Sequence, residues 1–345
     1  IGDAVKGPIG KIIDILAVIA TAAGVATSLG LGAMQINGGL SHLIDLPNSA
    51  GSQIGIILVV TVLFMVSAVT GLDRGIKILS NVNLSLASLL LLFVLMAGST
   101  IFLIDTFTTT LGSYIGNIIP MSFRLTPFSS GEWVGAWTLF YWAWWIAWAP
   151  FVGTFIARVS KGRTIREFVL TVMIVPTLLG GLWFAVFGGS SLHLQMEEGV
   201  NLAQAVRENM EAALFVTLDQ FPFGTVLSIL ATALIVTFFV TSADSATFVL
   251  GMLTSKGALQ PRAYVKIIWG FLISGIAAVL LLSGGLEGLQ TASFMAALPF
   301  AIVMLFMIVS LNRTLKAEVI KERHREKIRL KKLEELVEEN IQNSD

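Results

Sequence analysis

Long apolar segments that are almost free of charge limit what this chain can fold into. Each contains 20 to 30 residues, which is enough for an α-helix to cross the roughly 30 Å hydrocarbon core of a bilayer. Eight such segments are present, at residues 11–36, 53–72, 79–104, 133–157, 168–188, 224–253, 264–283 and 288–311. Because only 13% of the residues are charged and the mean hydropathy is +0.83, we predict an all-α polytopic membrane protein with about eight transmembrane helices.

The composition gives no support to several other classes of protein. The formal net charge is zero, so nothing indicates a nucleic-acid partner. The absence of cysteine excludes disulfides, thiol chemistry and cysteine-ligated metals. The three histidines, His42, His193 and His324, are far apart and form no recognisable metal or catalytic pair. We therefore expect neither an enzyme nor a nucleic-acid-binding protein.

Lysine and arginine are distributed unequally between the loops. Twenty of the 22 lie in the N-terminal segment, in the loops after the second, fourth and sixth spans, or in the tail, and the other two are Arg124 and Arg207. The positive-inside rule therefore predicts a multi-pass protein of the cell (inner) membrane with both ends in the cytoplasm. Arg74 and Lys77 are expected to hold helix ends at the headgroups. Because Ile1 is not a start methionine and no signal peptide precedes the first span, we expect a piece of a longer protein.

Tryptophan is concentrated in the fourth predicted span. Six of the eight tryptophans are Trp133, Trp137, Trp142, Trp144, Trp145 and Trp148. They extend over about 22 Å of helix axis, whereas a headgroup layer is only about 5–8 Å deep. An interfacial belt can therefore hold Trp133 and Trp137 but not the other four.

The four deeper tryptophans predict a binding site. Trp144, Trp148, Phe151 and Phe155 follow one helix face, and Trp142 and Trp145 lie beside it. Leucine or isoleucine would pack as well as these large, partly polar indoles. A cation without hydrogen-bond donors, in contrast, can be held over several ring faces. We therefore predict that Trp142, Trp144, Trp145 and Trp148 bind a quaternary ammonium group.

Polar residues cluster unexpectedly in the sixth predicted span. They are Thr241, Ser242, Asp244, Ser245 and Thr247. Such groups are costly in a membrane helix unless they face protein or a water-filled cavity. Their oxygens suit a dehydrated monovalent cation, but hydroxyls also bond back to helix carbonyls in helix–helix contacts, and the spacing leaves both interpretations open. Asp244, the one acidic residue deep in a predicted span, is either an ion-pathway group or a buried structural acceptor.

Three segments resemble the betaine/choline/carnitine transporter family. They are WTLFYWAWWIAWAPFVGTFIARVSKGRTIREF from Trp137, IGKIIDILAVIATAAGVATSLGLGAMQINGGL from Ile9, and FFVTSADSATFVLG at 238–251. The similarity covers nearly the whole chain up to the tail. It implies a leucine-transporter-like fold of two inverted five-helix repeats that works by alternating access. It also implies a secondary active transporter for small trimethylammonium compounds.

The resemblance and the residues together predict a division of the chain. Residues 1–104 would hold the last three helices of the first repeat, and 133–311 would hold the second repeat. Between them, 105–132 is predicted to be an amphipathic linker helix at the membrane surface, and 192–222 an acidic extracellular helical segment. The family has about twelve spans and this chain resembles it from after the fourth, so the fold is expected to be partial.

The resemblance further implies sodium as the coupling ion, and no other cofactor is expected. It places the side-chain oxygens of Thr241 and Ser242 and the carbonyl of Phe238 in a sodium site. Phe151 and Thr21 are further candidate ion contacts. Sodium-independent exchangers of the family have a cationic side chain in the first span and a methionine after the last signature tryptophan. This chain has no lysine or arginine between residues 11 and 74 and has alanine after the last tryptophan, which favours sodium coupling.

The tail at 312–345 is predicted to be a charged cytoplasmic helix. Residues 316–332 have a net charge of +5 and residues 333–345 a net charge of −5. The basic half suits anionic lipid headgroups. The acidic half could contact a neighbouring subunit or a basic loop, and a merely solvated helix is also open. In this family such tails are linked to osmotic regulation, and the resemblance also suggests a homotrimer.

Sodium symport of glycine betaine is the preferred function. A sodium-independent carnitine or choline exchanger and a proton-coupled choline importer are the alternatives. A membrane osmosensor that does not transport would retain the tail and tolerate loss of the tryptophan cluster. The sequence does not discriminate between betaine, choline, carnitine and ectoine-like substrates.

Overall fold

The computed structural model describes residues 6–70, 73–258 and 260–342, with the side chains at 69, 70, 73–77, 159 and 334–342 left aside. Arg74 and Lys77, predicted to hold helix ends at the headgroups, have side chains outside this described part. All regular structure within it is helical. The α-helices are α1 (Pro8–Ile44), α2 (Ala50–Thr70), α3 (Asp73–Ala97), α4 (Thr100–Ser122), α5 (Phe140–Val159), α6 (Ile165–Met196), α7 (Leu202–Glu208), α8 (Ala213–Leu218), α9 (Gly224–Thr254) and α10 (Ala263–Gln342).

Seven helices in the described part are long and apolar enough to cross a membrane. The last of them, α10, contains one residue with non-helical backbone angles, Gly285, at φ 54° and ψ −130°. Glycine suits this conformation because it has no Cβ to clash at positive φ. The break lies between the predicted spans 264–283 and 288–311, so α10 contains both. The prediction of an all-α polytopic membrane protein is confirmed.

Small residues allow other helices to approach α1 closely. A Cβ at Gly30 would lie 2.5 Å from a methyl carbon of Leu289, and one at Gly32 would lie 2.6 Å from the ring of Phe239. Neither position can hold a larger residue unless its neighbour moves. Most side chains of α1 between Ala17 and Gly39 are therefore buried among other helices, as its small residues predict.

One hydrophobic core joins α1, α2, α5, α9 and the first part of α10. Its fully buried side chains include Leu29, Phe64 and Leu289. Buried hydroxyls add hydrogen bonds between the same helices: Thr27 donates to the Leu289 carbonyl at 3.1 Å, and Ser293 donates to Thr27 at 2.9 Å. These bonds satisfy polar groups that would be costly to leave unpaired in an apolar interior.

A second core joins α3, α6, α7, α8 and α9. Phe215 and Leu218 of α8 are buried in it, against Val94 of α3 and Val186 of α6. The start of α6 is fixed by a capping box, in which Thr164 and Glu167 exchange hydrogen bonds of 3.0 and 3.2 Å. Because α9 takes part in both cores, it connects them.

The connection between the third and fourth predicted spans differs from the predicted bounds. The helix α3 ends at Ala97 rather than near residue 104, and α4 begins at Thr100 rather than near 105. The chain turns at Gly98 and Ser99, where Ser99 Oγ lies 2.8 Å from His193 Nε2 of α6. The side of α4 that faces α6 buries Leu103, whereas most of the helix is exposed. Its place at a membrane surface stays a prediction.

Within the described residues, 6–16 and 298–342 form one compact unit and 17–297 form another. The predicted charged tail helix is present as the last part of α10. Its basic stretch is exposed, and Lys316 and Arg323 flank Val319 and Ile320 on one side of the helix. The side chains of Leu336, Val337 and Ile341 lie outside the described residues.

Candidate functional site

A cavity of about 610 Å³ lies within the unit of residues 17–297. Three groups of residues line most of it: Ser28, Gly32 and Gln35 of α1; Trp137, Phe140, Tyr141, Trp144 and Trp148 on or just before α5; and Phe238, Phe239 and Ser242 of α9. Met210, Glu211, Leu286 and Gln290 are also among the lining residues. The lining is therefore mainly apolar, with seven aromatic side chains, several aliphatic ones and a few polar groups.

Two indoles of this wall are fixed to α1 by hydrogen bonds. Trp144 Nε1 donates to Ser28 Oγ at 2.9 Å, and Trp148 Nε1 lies 3.0 Å from both Ser28 Oγ and the Gly24 carbonyl. The missing side chain of Gly24 makes this approach possible, since a Cβ there would lie 3.0 Å from Trp148 Cδ1 and from Ala147 Cβ. Both indole N–H groups are thus satisfied by α1, and ring surface is left for the cavity.

The aromatic rings before Trp144 continue the wall. Phe140 stacks on Trp144 with centroids 5.7 Å apart and planes 10° from parallel, and Trp137 stacks on Tyr141 at 5.9 Å and 4°. Tyr141 meets Trp144 edge to face at 5.9 Å. Such packing fixes the ring faces in place. A cation without hydrogen-bond donors can be attracted to these faces.

A short π-helix at Val134–Leu139 leads directly into α5. π-Helices are rare and frequently occur at functional sites, because the wider turn changes which residues share a face. Here the π-helix carries Trp137 and is followed at once by Phe140 and Tyr141, all on the cavity wall. The sequence did not predict this feature.

The predicted ion-binding residues fall in three places. Phe238 and Ser242 line the cavity. Thr241 instead lies against α3, where Asn83 Nδ2 donates to its hydroxyl at 3.4 Å, and its own hydroxyl is 3.0 Å from the carbonyls of Thr237 and Phe238. Consecutive residues on a helix point in directions about 100° apart, so Thr241 and Ser242 meet different neighbours.

Thr21 and Phe151 are buried away from the cavity lining. Phe151 belongs to the first core and meets Trp148 edge to face at 5.3 Å. Thr21 is fully buried, and among the described residues its hydroxyl has no hydrogen-bond partner. A buried, unpaired oxygen of this kind is unusual because it loses hydration without compensation. It has the chemistry of a ligand for a hard cation.

Asp244 connects α9 to α2. The hydroxyl of Ser67 donates to Asp244 Oδ2 at 2.7 Å, and the aspartate is only 4% exposed. This contact supports the interpretation of Asp244 as a buried structural acceptor.

Comparison with known proteins decides the family. A family sequence model described as "BCCT, betaine/carnitine/choline family transporter" matches residues 1–320. The chain belongs to the betaine/carnitine/choline transporter family. Members of this family are multi-pass membrane transporters rather than enzymes.

Several curated relatives are similar over almost the whole chain. The glycine betaine transporter OpuD of Bacillus subtilis (strain 168) is 56% identical over 320 residues, which are 92% of this chain and 62% of that protein. The ectoine/hydroxyectoine transporter of Virgibacillus pantothenticus is 51% identical over 90% of this chain and 63% of its own length. The glycine betaine transporter of Acinetobacter baylyi (strain ATCC 33305 / BD413 / ADP1) is 42% identical over 93% of this chain and 49% of its own length. The chain thus spans about three fifths or less of the relatives it matches.

Two of the four predicted substrate tryptophans do not reach the cavity. Trp144 and Trp148 line it, but Trp142 and Trp145 are 67% and 68% exposed and are absent from its wall. Trp145 is one residue beyond Trp144, about 100° around the helix, and Trp142 is two residues before it, about 200° around. Two of the four predicted indoles therefore line this cavity in the described part of the chain, and two lie outside it. A substrate contact at Trp142 or Trp145 stays a prediction.

Sequence reasoning also missed residues of this family member's cavity. The sequence allows Trp137 to lie in an interfacial belt and predicts no role for Phe140, Tyr141 or Phe239. Counting back from Trp144 by three, four and seven positions gives Tyr141, Phe140 and Trp137, the spacing of one helix face. That periodicity could have identified them from the sequence.

Proposed function

We propose that the protein imports a small osmolyte with a quaternary ammonium group by secondary active transport, and that glycine betaine is its main substrate. The observation that carries this proposal is the aromatic cavity, in which Trp144 and Trp148 are held by hydrogen bonds to α1. The names of the relatives, which include glycine betaine transporters, support the choice of substrate.

The cavity residues would bind the two ends of betaine by different interactions. A trimethylammonium group has no hydrogen-bond donor, so its favourable contacts are with ring faces, each worth about 2 kcal/mol when water is excluded. Trp144 and Trp148 would supply these faces. Gln35 and Gln290, which also line the cavity, carry amide N–H groups that can donate to a carboxylate. The predicted contacts of Trp142 and Trp145 would be additional, at the exposed face of α5.

Sodium symport is the proposed mode of coupling. Hydroxyl and carbonyl oxygens are suitable ligands for a hard monovalent cation, and entry of sodium down its gradient would drive uptake. Ser242 and the Phe238 carbonyl, with Thr241 beside them, would form one site. The buried unpaired hydroxyl of Thr21, near Phe151, would contribute to another. Thr241 would hold the ion with the oxygen that now bonds to the carbonyls of α9.

Ectoine is a second candidate substrate. The observation that favours it is the similarity to the ectoine/hydroxyectoine transporter, which is nearly as high as that to the first betaine transporter. The ring faces of the cavity would accept a delocalised cationic group as well as a trimethylammonium group.

The remaining proposals concern the membrane and assembly. The protein would lie in the inner membrane with both ends in the cytoplasm, and the exposed basic stretch of α10 would contact anionic lipids. Homotrimeric assembly and osmotic regulation through the tail rest on the family resemblance alone.

Uptake by reconstituted protein tests these proposals. The protein, expressed from its complete reading frame, is placed in liposomes, and uptake of radiolabelled betaine, choline, carnitine and ectoine is measured with and without an inward sodium gradient. We expect betaine uptake that requires sodium. Betaine counterflow without an ion gradient would instead support the exchanger, and absence of uptake of all four compounds would contradict transport.

A further inference from the structure

One negatively charged residue lines the cavity in the described part of the chain. Among its lining residues in the described part of the chain, Glu211 is the one with a charged side chain. It lies in the short 3₁₀ turn Met210–Ala212, between α7 and α8. It belongs to the acidic helical segment at 192–222 that the sequence places outside the membrane.

Close packing fixes the position of Glu211. A Cβ at Gly38 of α1 would lie 2.7 Å from Glu211 Cβ and 3.1 Å from its carbonyl oxygen, so the two backbones are as close as a glycine permits. On the other side, Asn209 Oδ1 accepts a hydrogen bond from Glu211 N at 3.1 Å and caps the turn. The carboxylate is therefore carried by a turn that is packed onto the end of α1.

The next turn of α1 contacts residues that follow Glu211 in the chain, in and just after α8. His42 Nε2 lies 2.8 Å from Asp219 Oδ2, and its ring stacks on Phe215 at a centroid distance of 5.9 Å. Asp219 thus has a partner. Glu211 differs: across residues 6–70, 73–258 and 260–342 its carboxylate has no ion pair and accepts no hydrogen bond. A half-buried carboxylate that lines an apolar cavity and has no partner among the described residues is available to a cation in the cavity.

We propose that Glu211 is a specificity-determining residue that raises the affinity of the cavity for a net cation relative to a zwitterion with the same head group. This inference rests on the proposed function, because it assumes that trimethylammonium compounds enter the cavity. Choline and glycine betaine share the trimethylammonium group, and only betaine carries a carboxylate. Glu211 attracts choline without compensation, whereas its attraction for the ammonium end of betaine is largely cancelled by repulsion of the carboxylate end.

The size of the effect follows from Coulomb's law. For charges about 7 Å apart at a partly hydrated site, the attraction corresponds to about a three- to tenfold change in the affinity for a monovalent cation. The affinity for a zwitterion is expected to change by less than about twofold, since attraction of its ammonium group and repulsion of its carboxylate oppose each other.

Binding measurements on charge variants test the proposal. Choline and betaine are titrated separately into purified protein from the complete reading frame, at fixed sodium concentration, and intrinsic tryptophan fluorescence is followed. Glu211→Gln is expected to weaken choline binding by about three- to tenfold and betaine binding by less than about twofold. Glu211→Asp keeps the charge and should preserve the ratio of the two affinities.

Glu208→Gln is the matched control. Glu208 ends α7 three residues earlier, is exposed, and bonds to Gln204 at 2.9 Å without lining the cavity. It should leave both affinities unchanged. A ratio of choline to betaine affinity that is the same in Glu211→Gln as in the wild type would overturn the proposal, including the case in which both affinities fall together because the turn has moved. Failure of the wild type to bind either compound would contradict the proposed function itself, a result distinct from an unchanged ratio.

Discussion

Two pairs of tryptophans on α5 have the same side chain and opposite surroundings. Trp144 and Trp148 line the cavity and give their N–H groups to α1. Trp142 and Trp145 are about two-thirds exposed and form no hydrogen bond within the described part of the chain. The difference shows that residue type alone does not place an indole in the cavity. An indole forms part of this cavity where a neighbouring helix approaches closely enough to hold it.

The approach of α1 is what distinguishes the pairs. Gly24 and Ser28, one turn apart, supply a short contact and a hydroxyl acceptor for the inner pair. No residue of α1 does this for the outer pair within the described residues. Changes to α1 are therefore expected to act on one pair and not on the other, and they give the first two predictions.

The largest effect is expected from Gly24→Val. The added side chain would meet Ala147 and Trp148 at about the separation that real Cβ atoms avoid, and overpacking typically costs about 1–3 kcal/mol or more. We expect a lower thermal unfolding midpoint and at least about a tenfold loss of betaine affinity in fluorescence titrations. Gly153→Val is the control, since no described atom lies within 4 Å of a Cβ at that position of α5. Equal behaviour of the two variants would show that the α1–α5 contact is not critical.

The next largest loss of betaine affinity is expected from removal of the Ser28 hydroxyl, which accepts hydrogen bonds from both Trp144 and Trp148. Ser28→Ala leaves Trp144 Nε1 without its partner, and an unsatisfied buried donor costs about 1–3 kcal/mol. Betaine affinity is expected to fall by about three- to tenfold as the indole loses its fixed orientation. In a Trp144→Phe background the same change should cost less, because only Trp148 Nε1 then loses a contact with Ser28, and it keeps the Gly24 carbonyl. Equal costs in both backgrounds would argue against the hydrogen bond as the cause.

The same contrast recurs on α9, where Ser242 faces the cavity and Thr241 faces Asn83. Thr241→Ala combined with Ser242→Ala is expected to remove sodium stimulation of uptake, a reduction of about tenfold or more if roughly 1.4 kcal/mol of ion binding is lost. The protein should stay folded, since no bulk is added. Ser245→Ala, one turn away and bonded to the Thr241 carbonyl, should retain the stimulation. Unchanged sodium dependence in the double variant would remove these residues from the ion site.

The smallest effect is expected from Trp145→Leu. Exposed substitutions usually change stability by less than about 0.5 kcal/mol, so the unfolding midpoint should stay at the wild-type value. Betaine affinity should fall less than in the corresponding variant of Trp148. A loss as large as at Trp148, with unfolding unchanged, would place the outer pair in the binding site as the sequence predicted and would remove the distinction between the pairs.

Much of the fold follows from the sequence because apolar length is a local property. The long spans, the division within α10 and the enclosed position of α1 all come from runs of apolar or small residues that need no knowledge of their neighbours. The predicted helix bounds differ from the structure near Gly98, where the apolar run continues past the end of α3 at Ala97. A helix end inside an apolar run depends on the turn and on contacts such as that of Ser99 with His193, which no local pattern reveals.

The candidate site was predictable only in part, because it depends on contacts between distant segments. The tryptophan cluster indicated the helix, but the choice between its faces depends on which side α1 approaches. The π-helix before Phe140 is a matter of backbone hydrogen bonding that residue spacing does not show. Glu211 lies far from α5 in the sequence. Its place at the cavity depends on close packing of its turn against Gly38 of α1, which is a contact between distant segments.

Titration of Trp148→Leu with betaine tests most directly whether the substrate binds in the cavity between α1 and α5. The wild type, Trp148→Leu and Trp148→Phe are purified from the complete reading frame, and tryptophan fluorescence and thermal unfolding are recorded for each. Loss of a desolvated cation–π contact of about 2 kcal/mol should weaken betaine binding by about tenfold or more in Trp148→Leu, with a smaller loss in Trp148→Phe, which keeps a ring face. Equal betaine affinities in the wild type and folded Trp148→Leu would contradict binding at this wall of the cavity.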